Sequence, residues 1–80
     1  MKIYDQNGKL TGAACNCCGK IVLQENGVLK EDFASSKKEW GYFSKKDGTV
    51  HSFDLCEACY DRLTGDFRIP VTEEKKTELL

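Results

Sequence analysis

The sequence predicts a small α+β domain: a tight cysteine-bearing turn, then a β-hairpin, then a C-terminal helix. Three observations predict it. Two Cys-x2-Cys pairs, Cys15/Cys18 and Cys56/Cys59, stand 37 residues apart. Between them, Asp47-Gly48 lies between two segments rich in β-forming residues, the pattern of a hairpin. From Cys56 onward, Cys56, Cys59, Tyr60, Leu63 and Phe67 recur at the spacing of one helical face.

Length and composition bound the rest. Eighty residues make one domain at most, near the lower size at which an apolar core alone suffices. Hydrophobic types make up 40% and charged types 31%, which excludes a membrane span and a disordered tail. A net charge of −1 argues against a generic basic nucleic-acid binder. No run approaches the roughly 18 apolar residues that cross a bilayer. The opening Met1-Lys2-Ile3-Tyr4-Asp5-Gln6 has no apolar signal-peptide region, so a cytoplasmic protein without membrane contact is expected.

The elements follow in order. Residues 1–14 read as a short N-terminal arm, with a brief strand at Ile3-Tyr4 and a turn at Asn7-Gly8. Residues 15–71 read as the folded domain. Asn26-Gly27 marks a turn after the apolar run Ile21-Val22-Leu23, and a loop leads into an edge strand that strengthens near Phe33 and again before Trp40. The expected hairpin pairs Trp40-Gly41-Tyr42-Phe43-Ser44 with Thr49-Val50-His51-Ser52-Phe53. A two-residue Asp47-Gly48 loop sets Tyr42 opposite Phe53 and Trp40 opposite Leu55, all four on one face; that face is better determined than the register, because a slip of two residues preserves it. Asp54 with Glu57 three residues on has the form of a capping box, Gly65 supplies a stop, and Pro70 lies beyond. Trp40, Tyr42, Phe53 and Leu55 are expected to face Tyr60, Leu63 and Phe67 across the core. Residues 72–80 form a charged tail expected to fray.

Five cysteines in so short a chain carry the chemical signal. An odd count fits a disulfide framework badly, and a reducing cytosol would not keep disulfides. Two Cys-x2-Cys pairs offer four soft thiolates, the donor set of a tetrahedral structural zinc site, so Cys15, Cys18, Cys56 and Cys59 are the expected metal ligands. The two pairs differ in setting. Gly19 after Cys18 lets the chain turn sharply into a knuckle. Cys56 and Cys59 instead open a helix, where free N–H groups and the dipole favour thiolates. Knuckle, hairpin and ligand-bearing helix make a treble-clef-like arrangement. Iron in a rubredoxin-type site is the rival, but that site has a second knuckle where this chain has Tyr60 in a helix.

Other chemistry-bearing residues read more blandly. Cys17 is a spare thiol, or a redox-sensitive one if Lys20 supplies positive charge beside it. His51 reads as a packed or partly exposed strand histidine on the aromatic face rather than a ligand or acid–base group. The aromatics Trp40, Tyr42, Phe43, Phe53, Tyr60 and Phe67 read as the core around the metal rather than a base-stacking platform. Lys37-Lys38 and Lys45-Lys46 read as a solvated strand end and hairpin tip. Four thiolates leave no open metal position for water or substrate, so no enzyme is expected.

Several stretches resemble a family of short bacterial proteins of unassigned function that carry a zinc-binding Cys-x2-Cys pair near each end. They are Cys15-x-x-Cys18-Gly19-Lys20, Glu39-Trp40-Gly41-Tyr42-Phe43-Ser44, Lys46-Asp47-Gly48, His51 through Asp61 around the second pair, and Phe67-x-Ile69-Pro70-Val71. The likeness spans residues 15–71, and Cys17 departs from it. It implies metal binding and supplies no substrate. The function expected is that of a structural-zinc module that binds another macromolecule, a protein before a nucleic acid. A thiol-redox or zinc-responsive switch using Cys17 is the alternative of a different class.

Overall fold

The computed structural model describes residues 1–76. A first antiparallel sheet is built from β1 (Lys2–Tyr4), β2 (Leu10–Ala14), β3 (Ile21–Glu25) and β4 (Val28–Leu29), in that spatial order. The first fourteen residues, read from sequence as an arm, are the β1–β2 hairpin of this sheet. Its turn is organised by Asp5, whose Oδ1 accepts from the amides of Asn7 at 2.8 Å and Lys9 at 2.9 Å. The strand at Ile3-Tyr4 and the turn at Asn7-Gly8 lie where the sequence places them. β2 pairs with β3 from Gly12 opposite Leu23 to Ala14 opposite Ile21. A Cβ on Gly12 would lie 2.6 Å from the Val22 carbonyl oxygen, so this position admits no side chain without displacing β3. At the next reversal Asn26 and Gly27 both take positive φ, 53° and 78°, and join β3 to β4 in a two-residue loop. Asn-Gly is favoured there because both central residues must be left-handed.

The second sheet is a ribbon of β5 (Phe33–Glu39) and β6 (Val50–Cys56), paired from Phe33 opposite Cys56 to Glu39 opposite Val50. Here the structure corrects the expected hairpin. Trp40 through Thr49 are not strand but a ten-residue connection, closed where the Trp40 amide donates to the Thr49 carbonyl at 3.0 Å. Asp47-Gly48 does turn the chain, but inside this loop rather than as a two-residue hairpin. The register follows from what must pack on the ribbon. Opposite Leu55 and Phe53 stand Ala34 and Ser36, small residues that let a helix approach. Trp40 and Tyr42 in those places would fill the space the helix needs.

The helix α1 (Glu57–Gly65) begins directly from β6, with Cys56 at its N-cap. No side-chain cap bond forms there, so the expected Asp54 capping box is absent: the Asp54 carboxylate is committed elsewhere. Gly65 is the last helical residue, and the Asp66 and Phe67 amides close onto the carbonyls of Leu63 and Thr64. Tyr60, Leu63 and Phe67 face Phe53 and Leu55 as expected, and with Ala34 they border an apolar groove of about 230 Å³. Trp40 and Tyr42 do not join them. Tyr42 and Phe43 are 80% and 100% exposed at the ribbon tip. Among the described residues burial is confined to Gly12, Ala13, Ala14, Cys15, Asp54, Leu55, Cys56 and Cys59, and no large side chain is fully buried. The core is thus a cysteine cluster with Leu55, flanked by Phe33 and Ala34. Residues 72–76 have no regular structure, and the remainder of the expected tail lies outside the described residues.

Candidate metal centre

The first cysteine pair sits on the turn between β2 and β3. Cys15 follows the last residue of β2, and its amide donates to the Lys20 carbonyl at 2.8 Å, which closes the loop at its base. The Gly19 amide donates to the Cys15 carbonyl at 2.9 Å, and Gly19 takes φ of 83° in open space. Only a left-handed residue lets the chain double back so soon after Cys18. The turn aims the amides of Cys17 and Cys18 at the Cys15 sulfur, each at 3.4 Å. The sharp turn expected after Cys18 is therefore present, with Gly19 left-handed.

The second pair spans the strand-to-helix junction. Cys56 ends β6 and Cys59 lies in the first turn of α1. The four sulfurs of Cys15, Cys18, Cys56 and Cys59 all lie within 4.8 Å of one another, three of the residues buried and Cys18 at the surface. The Cys18 and Cys56 sulfurs are 3.8 Å apart. A tetrahedron with metal–sulfur bonds near 2.3 Å has edges of about 3.8 Å, so the donor set fits a four-thiolate ion. The structure therefore gathers the four cysteines that the spacing singled out, as a group that could hold a metal ion. Cys17 is exposed and outside the group.

Electrostatics distinguish the four cysteines. Burial pushes the Cys15 thiol up, but the backbone amides of Cys56, Cys18 and Cys17 outweigh it and hold the thiol down at about 6. Burial pushes Cys59 up to about 12, and contacts with Cys18 and Cys56 add to the rise while Arg62 opposes it. Arg62 Nη2 donates to the Cys59 sulfur at 3.1 Å, one helical turn away. The Arg62 guanidinium is thus in direct contact with the cluster, and Lys20 lies near enough to feel Cys56 and Cys18. Lys20, expected near Cys17, instead pairs with Glu31 at 2.7 Å.

A polar clamp that the sequence reading missed joins the two halves of the site. Asn16, inside the first Cys-x2-Cys, donates its amide to the Asp54 carbonyl at 2.8 Å and accepts the Asp54 amide on Oδ1 at 2.9 Å. The same Oδ1 accepts from the Met1 α-amino group at 2.8 Å. The buried Asp54 carboxylate takes that amino group at 2.6 Å, Lys2 Nζ at 2.5 Å and the Ser35 hydroxyl. Burial would raise Asp54, but Lys2, the amino group and Ser35 together hold it far below the ordinary carboxylate range. A charged residue two places before a ligand cysteine, on an otherwise apolar strand end, was the available signal. Its partners lie up to 53 residues away, where no local pattern reaches.

His51 takes no part in the cluster. It accepts from Trp40 Nε1 on Nδ1 at 3.3 Å, toward the other end of the ribbon, and is exposed. Among the described residues no helix is long and apolar enough to cross a membrane. No family model, no curated protein and no solved structure matches this chain.

Proposed function

We propose that Cys15, Cys18, Cys56 and Cys59 hold one zinc ion as the structural staple of a treble-clef-like module, and that the module acts by binding another macromolecule. The observation that carries this reading is the convergence of four sulfurs, two from a knuckle and two from a helix start, at tetrahedral spacing. The slight core supports it. With no large side chain fully buried among the described residues, apolar burial does little to hold the ribbon, the helix and the first sheet together. A structural zinc adds apparent binding free energy of about 10–16 kcal/mol at neutral pH. Four protein ligands fill the ion's coordination, which suits a staple and not a reaction centre.

Elemental analysis and native mass spectrometry of protein isolated from its native cell test the metal. One zinc per chain is the expected result. Iron with a thiolate charge-transfer colour would overturn the zinc assignment, and a folded metal-free chain after anaerobic purification would overturn the site. A second reading, a thiol-redox switch, has one observation in its favour: Cys17 is exposed next to two ligands and is not one of the group. Titration of free thiols in the metal-loaded protein tests it, and a Cys17 no more reactive than a free cysteine would remove it.

A further inference from the structure

The loop from Trp40 to Thr49 is ordered by its own backbone. The Ser44 amide donates to the Gly41 carbonyl at 2.9 Å and the Thr49 amide to the Lys46 carbonyl at 2.9 Å. Lys46 donates its amide to Ser44 Oγ, also at 2.9 Å. None of these bonds needs an aromatic side chain at positions 42 and 43. Yet Tyr42 and Phe43 stand there, 80% and 100% exposed, with ring centroids 5.2 Å apart. The core does not use them, although alternation in the sequence had placed Tyr42 in it. The bland reading of these two rings therefore fails.

Charge gathers at the same place. Lys46 Nζ lies 4.4 Å and Lys38 Nζ 5.4 Å from the Trp40 ring centroid, and the Trp40 ring meets His51 edge-on. Among the described residues, none of Lys37, Lys38, Lys45 and Lys46 is within ion-pair distance of a carboxylate. Residues 37–51 hold these four lysines against Glu39 and Asp47, a net of +2 in a chain of net −1, which leaves −3 for all other residues. The positive charge and the exposed rings thus share one end of the ribbon, while the thiolates occupy the other, roughly 20 Å of strand away.

From this juxtaposition we propose that the Trp40–Thr49 loop is a docking site for single-stranded nucleic acid. Tyr42 and Phe43 offer faces for unstacked bases, and the four lysines neutralise the adjoining phosphates. A single strand is required because a duplex hides its base faces. A lipid surface fits less well, since only Phe43 is a fully exposed apolar ring and two carboxylates flank it. The assignment rests on the macromolecule-binding module proposed above and names its partner. It also reverses the order of partners expected from the sequence, because that order assumed the rings were buried.

The test is fluorescence anisotropy with the metal-loaded full chain and a labelled oligouridylate of about 15 nucleotides, over about 50–200 mM salt. A duplex of equal length and phosphatidylglycerol vesicles serve as competing probes, and zinc content is measured on every sample. Expected are a Kd on the order of 10⁻⁵ M near the low-salt end and a steep salt slope. Phe43→Ala should weaken binding about tenfold, as loss of one stacked base does. The Lys45→Gln, Lys46→Gln double variant should flatten the salt slope by about 1.4, and Lys75→Gln should leave it unchanged. Phe43 and both lysines are exposed, so these variants keep the fold, which circular dichroism checks. No binding by a zinc-loaded chain would overturn the loop assignment and leave the staple standing. Binding that ignores Phe43→Ala, equal binding to duplex, or binding to vesicles alone would also overturn it. Phe43-dependent binding by a chain that holds no zinc would support the loop site and overturn the staple.

Discussion

Asn16 and Asp54 exchange two hydrogen bonds: the Asn16 amide reaches the Asp54 carbonyl at 2.8 Å, and the Asp54 amide reaches Asn16 Oδ1 at 2.9 Å. Asn16 lies inside the first ligand pair and Asp54 two residues before the second. The exchange therefore ties together the two halves of the cysteine cluster. Asn16→Ala removes the side-chain acceptor and strands the Asp54 amide beside a buried carboxylate. It should cost about 1–3 kcal/mol of stability and loosen the metal. Denaturant unfolding at fixed zinc, paired with chelator competition, measures both, and an unchanged metal affinity would show that the clamp does not position the ligands.

The neighbours Cys17 and Cys18 should respond differently to substitution. Cys18 lies in the sulfur group directly before the left-handed Gly19, while Cys17 lies outside it. Cys17→Ser should bind metal and fold, and Cys18→Ser should lose both. The same behaviour in the two variants, read by metal content and circular dichroism, would refute the knuckle assignment.

Metal loading should release protons in a pH-dependent way. Cys59, pushed up to about 12, is a thiol at neutral pH and must surrender its proton to become a ligand. Cys15, held down at about 6, is already mostly thiolate at pH 7 but mostly protonated one unit below its own value. In a chain that holds this arrangement as the metal enters, proton release on loading should therefore rise by close to one as pH is lowered from about 7 to about 5, while affinity falls. Calorimetry in buffers of different ionisation enthalpy counts the protons. A release that stays constant across that window would mean that the amides reach Cys15 only once the metal has folded the chain.

Substitutions on the helix and ribbon should differ by exposure. Leu55 is 8% exposed in the cysteine cluster, whereas Leu63 is 50% exposed at the edge of the groove. Leu55→Ala should cost about 2–5 kcal/mol, and Leu63→Ala about 1 kcal/mol, half the transfer free energy of a buried leucine and with no cavity left behind. The unfolding midpoints of the two variants check the ranking, and a larger loss at Leu63 would mean that the groove closes in solution.

The site was legible because Cys-x2-Cys spacing and a following glycine are local properties. Asn26-Gly27 and the helical face at Tyr60, Leu63 and Phe67 were legible for the same reason. The ribbon register was not. Alternation in Trp40-Gly41-Tyr42 looks like a buried strand, but the sequence does not show that small residues at 34 and 36 are needed opposite Phe53 and Leu55. Asp54 misled in the same way. As a local pattern it caps a helix, and the competing partners, Met1 and Lys2, come from the far end of the chain.

The order of the two cysteine pairs along the chain has a consequence during biosynthesis. Cys18 precedes Cys59 by about 40 residues, and at translation rates of about 5–20 residues per second the first pair leaves the ribosome roughly 2–8 seconds before the second. For that interval Cys15 and Cys18 form a two-thiolate chelator with vacant coordination positions, and Cys17 stands beside them. Soft ions and oxidants compete for such thiolates. β6 must form its pairs with β5 before Cys56 and Cys59 can complete the set. Loading of the proposed zinc site is thus a race between the arrival of the last two cysteines and the capture of the first two, won by the supply of metal in those seconds.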